Sequence, residues 1–274
     1  MKNLNGKVVL ITGAGSGIGQ QTAVAFAAET TKLILLDIKQ EGLDQTVSMT
    51  RSDAQNVETH ICDVSDFSAM QSLADEINSG YGAVDVLINN AGIGTAGSFL
   101  DTTLETWKRT LDVNLMGVVH GCKVFLPAMV ARKQGGAVVN IASMAGYYAA
   151  NIMPVYSASK FAVLGFSESL RADLTDQNIS VSAICPGIIK TPIIASSVFE
   201  GQMSGEDAEE FRKKAVGFYE KRNYTPDRVA KAILKAVKKR KGVVPVSPEA
   251  WIAYYLKRFF PGIVAWATRQ DAPF

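Results

Sequence analysis

Short apolar runs alternate with longer amphipathic segments along this 274-residue chain, and this rhythm constrains the fold more than any other feature. The apolar runs have the length and β-branched content of buried strands, without an apolar/polar alternation, as in parallel strands covered on both faces. We therefore predict an α/β fold, with a parallel sheet of about seven strands and helices on both faces. The six clearest strands are Val8–Ile11, Leu33–Leu36, Val57–Ile61, Val84–Ile88, Val138–Ile141 and Ile179–Ile184.

The rhythm predicts one domain rather than two. No linker rich in Pro, Gly or Ser interrupts it between residue 7 and about residue 187. We assign residues 1–248 to this domain. The polar segment at about 188–224 is predicted to be a lid over the substrate, with a solvated surface helix as the alternative. Residues 249–274 are predicted to form an aromatic, helical C-terminal extension.

Charge and composition exclude several classes of protein. With 28 Lys+Arg against 26 Asp+Glu, the chain lacks the basic footprint of a nucleic-acid-binding protein. Only two histidines are present and no G-x-S-x-G motif, so a histidine-rich metal site or a Ser-His-Asp hydrolase is disfavoured and no metal is expected. The three widely spaced cysteines fit a reducing compartment. With no secretory h-region and no run of about 18 apolar residues, we expect a cytoplasmic protein.

A glycine-rich turn, Thr12–Gly19, follows the first predicted strand and opens a helix. Glycines let the backbone turn tightly and approach a pyrophosphate, whose charge the amides of the helix N-terminus meet. The spacing is T-G-x-x-x-G-x-G rather than G-x-G-x-x-G. A turn without a ligand is the alternative, which the position between strand and helix disfavours. The predicted cofactor contacts here are Gly13, Ser16, Gly17, Ile18 and Gly19.

Asp37 lies at the end of the second predicted strand, 18 residues after Gly19. A carboxylate at this place can accept hydrogen bonds from both adenosine ribose hydroxyls and repels a 2′-phosphate. The next residue is Ile38 rather than an arginine that would bind that phosphate. We therefore predict NAD as the cofactor, with contacts from Asp37 and Ile38. Because Lys39 is close by, NADP remains the less favoured alternative.

Two further strand ends carry candidate cofactor contacts. Asp63 and Val64 follow the third predicted strand, where a carboxylate can face the adenine amino group, although a helix cap is the alternative. The sequence Asn89–Gly92 closes the fourth strand; its small residues let a cofactor lie close, and its asparagines can tie neighbouring strands. The predicted contacts are Asp63, Val64, Asn90, Ala91 and Gly92.

The residues that carry chemistry are Ser143, Tyr156 and Lys160. Tyr156 and Lys160 are four residues apart and share one face of a helix that begins near Pro154. A phenol with a pKa near 10 is a poor acid/base at neutral pH. A neighbouring ammonium favours the phenolate, so we expect Lys160 to lower the pKa of Tyr156.

With these motifs, the sequence resembles the short-chain dehydrogenase/reductase family, which uses NAD(P). The match spans residues 5 to about 246, and no catalytic position departs from the family pattern. The resemblance implies a single Rossmann-type doubly wound sheet, an enzyme acting on secondary alcohols and ketones by hydride transfer, and no metal. The motifs that carry it are Thr12-Gly13…Gly17…Gly19, Asp63, Asn89-Asn90-Ala91-Gly92, Asn114, Ser143, Tyr156, Lys160 and Pro186-Gly187.

The resemblance also implies a role for each matching residue. Tyr156 is the general acid/base, Ser143 orients the substrate oxygen, and Lys160 holds the nicotinamide ribose. Asn114 maintains a helix irregularity and a water that links Lys160 to solvent. The cofactor contacts around the nicotinamide are Tyr156, Lys160, Pro186, Gly187, Ile189 and Thr191.

The positions expected around the substrate are apolar or aromatic, with no cation to bind a carboxylate or a phosphate. We therefore predict a hydrophobic secondary alcohol or ketone, such as a steroid-like, retinoid-like or long-chain compound; the alternative is that several of these residues are ordinary core. The expected direct substrate contacts are Ser143, Tyr148 and Tyr156. The other pocket positions are Ile93, Ala145, Tyr147, Ile152, Met153, Ile188 and Ile193.

The C-terminal extension combines aromatic residues with the cations Lys257, Arg258 and Arg269. We expect the aromatics to cover the substrate cleft or another subunit; peripheral contact with a membrane is the less favoured alternative. The resemblance implies a homo-oligomer, a tetramer or dimer formed through helices near 104–131 and 154–175. The crowded apolar positions are Trp251, Tyr254, Tyr255, Phe259, Phe260, Ile263, Val264 and Trp266.

Three other functions are alternatives to this prediction. A methyltransferase also has a glycine turn and an acidic residue after its second strand, but it has no use for Ser143, Tyr156 and Lys160. A non-catalytic nucleotide-sensing protein is disfavoured by the intact catalytic residues. An NADP-linked carbonyl reductase is the nearest competitor.

Overall fold

The computed structural model describes residues 1–200 and 205–268. It contains one seven-stranded sheet and a two-stranded ribbon. In chain order the strands are β1 (Val8–Thr12), β2 (Lys32–Asp37), β3 (Asn56–Ile61), β4 (Val86–Asn89), β5 (Thr95–Ala96), β6 (Gly136–Ile141), β7 (Ile179–Pro186), β8 (Val198–Phe199) and β9 (Val243–Val246). The sheet order is β3-β2-β1-β4-β6-β7-β9 with all pairs parallel, and β5 pairs with β8. The predicted doubly wound sheet of about seven strands is therefore confirmed.

Ten α-helices occur in the described residues, and an irregular turn interrupts the longest helical stretch. The helices are α1 (Gly17–Ala27), α2 (Gln40–Thr50), α3 (Phe67–Tyr81), α4 (Leu104–Leu111), α5 (Gly117–Ala131), α6 (Pro154–Asp173), α7 (Gly205–Arg222), α8 (Pro226–Lys239), α9 (Pro248–Phe259) and α10 (Pro261–Ala267). Between α4 and α5 the backbone widens into a π-helix, Asp112–Met116, and Met144–Gly146 forms a 3₁₀ turn.

The two faces of the sheet are covered by different helices, because successive side chains of each strand point in opposite directions. Val9 and Ile11 of β1 pack in the apolar cluster that contains residues of α1, α2 and α8. Val8 and Leu10 pack in the cluster that contains residues of α3 and α5. This double cover explains the unbroken apolar runs of the central strands.

One strand differs from the prediction of complete burial. β3 lies at the edge of the sheet, and its residues are half-buried or exposed, with Ile61 63% accessible. The prediction of burial on both faces was wrong for Val57–Ile61, because the faces of this edge strand are covered only in part. This strand is also less apolar than the central strands, because Glu58 and His60 alternate with Val57, Thr59 and Ile61.

The two segments predicted outside the sheet are both partly helical. In the predicted lid at about 188–224, β8 pairs with β5 and α7 leads to Arg222, while residues 201–204 lie outside the described part. In the C-terminal extension, α9 and α10 span residues 248–267, and the predicted cation Arg269 lies outside the described residues.

One continuous helical stretch, Leu104–Ala131, is long and apolar enough to cross a membrane by length and composition. Its most apolar window is 44% buried inside the protein. A core helix of a globular domain has the same properties, so this stretch is weak evidence for a membrane span.

Candidate active site

The glycine turn between β1 and α1 is shaped by backbone contacts that exclude side chains. Gly13 and Gly17 have positive φ angles of 63° and 52°. A Cβ atom on Gly19 would overlap the carbonyl oxygen of Gly13. The Asn90 amide donates to that same oxygen over 2.9 Å, and Ala91 N–H donates to the Thr12 hydroxyl over 3.0 Å. These contacts hold the turn against the end of β4, and its glycines carry no side chains that would cover the backbone.

Helix α1 begins in this turn with Ser16 as its N-cap. The Ser16 side chain is exposed and makes no capping hydrogen bond. Ile18 is half-buried, and its carbonyl accepts a hydrogen bond from the Thr22 hydroxyl. Because the first amides of a helix have no partners within it, this end is suited to an anionic group.

Asp37, at the end of β2, lies beside the same turn. Its carboxylate accepts hydrogen bonds from Gly15 N–H at 2.9 Å and from Lys39 N–H at 3.1 Å. Ile38 has 62% of its surface exposed. The Asp37 carboxylate can accept hydrogen bonds from ribose hydroxyls, and the N–H groups of the glycine turn can donate to a pyrophosphate, so these residues fit a nicotinamide dinucleotide.

Asp63 and Val64 lie at the next strand end and are not hydrogen-bonded to the glycine turn. Asp63 is exposed, and its oxygen accepts from the N–H and the hydroxyl of Ser65. Val64 is buried, and its carbonyl bonds to the His120 ring. The cap of α3 is Asp66, not Asp63, so the helix-cap alternative for Asp63 was wrong.

Ser143, Tyr156 and Lys160 come together at the carboxyl end of β6. Ser143 caps the 3₁₀ turn that follows β6, where its oxygen accepts from Ala145 N–H. Lys160 is 4% exposed, its ammonium donates to the Ile141 carbonyl over 3.0 Å, and it lies 5.7 Å from the centre of the Tyr156 ring.

The electrostatics of this group differ from the sequence-based expectation. Burial raises the pKa of Tyr156, and its hydrogen bond with Ser143 acts in the opposite direction. The expected lowering of this pKa by Lys160 was therefore wrong for the protein alone. The physical reason is that the Lys160 ammonium is directed at a backbone carbonyl, and burial lowers its own pKa to about 8.

Asn114 lies in the middle of the π-helix and is completely buried. Its side chain accepts from Ile93 N–H at 2.8 Å and donates to Ile93 carbonyl and to the Ser159 hydroxyl. Ser159 in turn donates to the Tyr156 carbonyl over 2.7 Å. Asn114 thus links the loop after β4 to the helix that carries Tyr156, next to Gly92 and Lys160.

The segment after β7 closes the site from the other side. Pro186 ends β7, and Gly187 N–H donates to the Val246 carbonyl over 3.0 Å. Thr191 lies against Gly17, so this segment approaches the glycine turn. Ile189 is 4% exposed and belongs to the main core, so its side chain serves packing.

Three residues of the site were missed by the sequence-based reasoning: Tyr219, Arg222 and Glu249. Burial raises the pKa of Tyr219 to about 12, with further contributions from Tyr156 and Glu249. Tyr219 and Thr191 help line a cavity of about 300 Å³ under α7. No motif marks these residues, because α7 and α9 reach the site only through the tertiary fold.

The predicted pocket residues are not all available to a substrate. Ile93, Ala145, Tyr148, Ile152, Met153, Ile188 and Ile193 are half-buried. Tyr147 is 5% exposed, its hydroxyl donates to the Ala250 carbonyl, and its ring packs against Tyr254. Tyr147 was therefore wrongly placed in the pocket, because it anchors α9.

Comparison with known proteins agrees with this geometry. The family model for short chain dehydrogenase matches residues 7–200. A crystal structure of a short chain dehydrogenase/reductase from Burkholderia phymatum in complex with NAD superposes with a TM-score of 0.85 at 30% identity, covering 96% of each chain.

Two curated relatives are also similar. The probable oxidoreductase EphD of Mycobacterium bovis is 40% identical over 93% of this chain and 43% of its own length. The human epidermal retinol dehydrogenase 2 is 40% identical over 74% of this chain and 65% of its own length. The chain thus spans less than half of the mycobacterial relative and about two thirds of the human one.

Proposed function

Because the chain belongs to the short-chain dehydrogenase/reductase family, we propose that it is an NAD(P)-dependent oxidoreductase, which interconverts a hydrophobic secondary alcohol and its ketone with NAD. The observation that carries this proposal is that Ser143, Tyr156 and Lys160 meet at one place, while Asp37 accepts a hydrogen bond from the glycine turn. A methyltransferase has no need for this group.

The residues that would hold the cofactor follow from the geometry above. The helix end at Ser16 and Gly17 suits the pyrophosphate, and Asp37 suits the adenosine ribose, where its charge disfavours a 2′-phosphate. When bound, the nicotinamide supplies or accepts the hydride. NADP is the alternative, because Lys39 follows closely in the chain.

The chain's own residues would supply the proton chemistry. The Tyr156 phenol gives its proton to the ketone oxygen in reduction and takes one from the alcohol in oxidation. The Ser143 hydroxyl hydrogen-bonds to the same substrate oxygen and orients it. The Lys160 ammonium binds the nicotinamide ribose, and Asn114 holds the helix and the loop that position Lys160.

The substrate class is inferred from the predicted pocket positions, which are apolar or aromatic and, apart from Tyr147, half-buried. They provide no cation for a carboxylate or a phosphate. A human relative that is 40% identical carries the name of a retinol dehydrogenase, which is consistent with an apolar alcohol.

A panel of secondary alcohols assayed with NAD tests the substrate class. We expect steroid-like, retinoid-like or long-chain alcohols to have kcat/KM values above those of small polyols. A preference for polyols would contradict the hydrophobic substrate.

Fluorescence titration with NADH and NADPH tests the choice of cofactor. We expect tighter binding of NADH, since Asp37 repels the 2′-phosphate. Tighter NADPH binding would favour the NADP-linked carbonyl reductase, and binding without turnover of any alcohol or ketone would favour a nucleotide sensor.

We also propose a cytoplasmic homo-oligomer, a dimer or tetramer, in which residues 1–248 form the catalytic domain and residues 249–274 the extension. The extension leaves several large apolar side chains more than half exposed, and monomers rarely expose large apolar patches. These are Ile252, Tyr255, Phe259, Phe260, Ile263 and Trp266. If the extension forms a subunit contact, Phe259→Ser should reduce the oligomer size in size-exclusion chromatography. If it contacts a membrane, the same variant should reduce flotation with vesicles.

A further inference from the structure

A carboxylate from the C-terminal extension reaches the segment that follows β7. Glu249, in the first turn of α9, accepts a hydrogen bond from Ile188 N–H over 2.9 Å. Gly187 is fitted to this contact, because a Cβ atom on it would collide with Glu249 and with the Ser247 hydroxyl. Ser247 itself has a φ of 107°, a left-handed conformation that a serine rarely adopts. The backbone at the start of α9 is thus strained where it brings Glu249 to Ile188.

The same carboxylate is paired with the end of α7. Arg222, the last residue of α7, forms a salt bridge with Glu249, and the two side chains are 24% and 27% exposed. Arg222 also lies 5.4 Å from the centre of the Tyr224 ring. The Tyr224 carbonyl accepts a hydrogen bond from Lys190 N–H. The end of α7 is therefore attached to the segment after β7 both directly and through Glu249.

The charge of Glu249 is maintained despite its partial burial. Burial alone would raise the pKa of Glu249, but Ser247, the Ile188 N–H and Arg222 lower it below its usual range. An ionised acceptor makes a stronger hydrogen bond to a backbone N–H than a neutral one does.

We propose that Glu249 is a positioning residue, which fixes the backbone of residues 186–190 for the nicotinamide half of the cofactor and fastens α7 over it through Arg222. This inference rests on the proposed function, since it assumes a nicotinamide cofactor. It gives the start of the C-terminal extension a role in cofactor binding that the glycine turn does not share.

The experiment compares two ligands by titration calorimetry with the full chain. NADH carries the nicotinamide, whereas ADP-ribose carries only the half that the glycine turn and Asp37 would bind. For Glu249→Ala we expect the Kd of NADH to rise about tenfold, because a charge-assisted hydrogen bond and a salt bridge are lost. The Kd of ADP-ribose should change by less than about twofold.

Two further variants keep the result interpretable. Glu249→Gln retains an acceptor for Ile188 N–H but loses the salt bridge, so we expect an effect on NADH of about threefold and a normal fold. The matched control is Glu210→Gln, which removes an exposed salt bridge to Lys214 on α7 and should leave both affinities unchanged.

Equal weakening of both ligands in Glu249→Ala and Glu249→Gln would reduce Glu249 to a general stabilising role and overturn the proposal. Unchanged NADH binding in both variants would overturn it as well. If the unmodified protein binds neither NADH nor NADPH, the proposed function itself fails, which is a different outcome from either of these.

Discussion

The nucleotide end of the site and its closing end are built in different ways. At the nucleotide end, Gly13, Gly19 and Asp37 lie within 25 positions along the chain; Gly19 packs against the Gly13 carbonyl, and the Asp37 carboxylate accepts from Gly15 N–H. At the closing end, Ile188, Arg222 and Glu249 belong to three separate segments, and the Glu249 carboxylate joins the Ile188 N–H to the Arg222 guanidinium. The first arrangement is local and tolerates no added atom, whereas the second depends on long-range contacts that can be weakened one at a time.

The largest expected effect on cofactor affinity lies at the nucleotide end. In Gly19→Val the new side chain overlaps the Gly13 carbonyl, so the turn must move away from Asn90. We expect NADH affinity to fall by about 100-fold, which corresponds to the upper range of overpacking costs. Calorimetry measures the loss, and Gly80→Ala is the control, because nothing lies within 4 Å of the added methyl group. Normal NADH binding by Gly19→Val would contradict a rigid nucleotide end.

The rate of alcohol oxidation should depend on pH through Tyr156 and Lys160. Because burial raises the pKa of Tyr156 above its usual value, the phenol stays protonated at neutral pH. As an acid it is then ready for ketone reduction, whereas alcohol oxidation requires the scarce phenolate. The kcat/KM of oxidation should rise about tenfold per pH unit from pH 6 to 8. Above pH 8 the slope should fall, since Lys160, with a pKa of about 8, loses its charge. A pH-independent oxidation rate would show that Tyr156 is not the base.

Asp37→Asn tests how much of the nucleotide end depends on charge rather than on backbone shape. The amide keeps an acceptor for Gly15 N–H but no longer repels a 2′-phosphate. We expect NADH to bind about threefold to tenfold more weakly and NADPH more tightly than before. Fluorescence titration of both dinucleotides measures the change. If the preference stays the same, the choice of cofactor is made elsewhere in the site.

The smallest effect is expected at Tyr147, which anchors α9 of the C-terminal extension. Tyr147→Phe removes the hydrogen bond to the Ala250 carbonyl but keeps the ring against Tyr254. The free energy of unfolding should fall by about 1 kcal/mol, with NADH affinity unchanged. Thermal unfolding monitored by calorimetry, together with an NADH titration, provides the check. A large loss of NADH affinity would mean that the extension controls the site through more than Glu249.

The sequence could predict the sheet and the nucleotide end, but not the contacts at the closing end. The sheet followed from its apolar runs, and the positions of Asp37 and Asn90 followed from strand ends that a parallel sheet brings to one edge. The edge strand β3 was assigned too much burial, since neither its neighbours nor its order in the sheet is visible in its own residues. Glu249 and Arg222 could not be found because they lie 27 positions apart in the chain and meet only in the folded protein.

The pKa of Tyr156 was misjudged for a related reason. The four-residue spacing correctly placed Lys160 near the ring, but it could not show that the ammonium is directed at the Ile141 carbonyl. Spacing along a helix predicts which side chains share a face, whereas burial and the direction of a hydrogen bond depend on the surrounding fold.

We propose that Tyr156 carries the proton chemistry, while the nucleotide end binds the cofactor independently of the Tyr156 hydroxyl. Tyr156→Phe removes the hydroxyl and leaves the ring, so turnover of a hydrophobic secondary alcohol with NAD should fall by on the order of 10²–10⁴-fold. Measured on the same sample, the Kd of NADH should stay within about twofold of that of the unmodified protein. Full turnover by Tyr156→Phe would contradict this account.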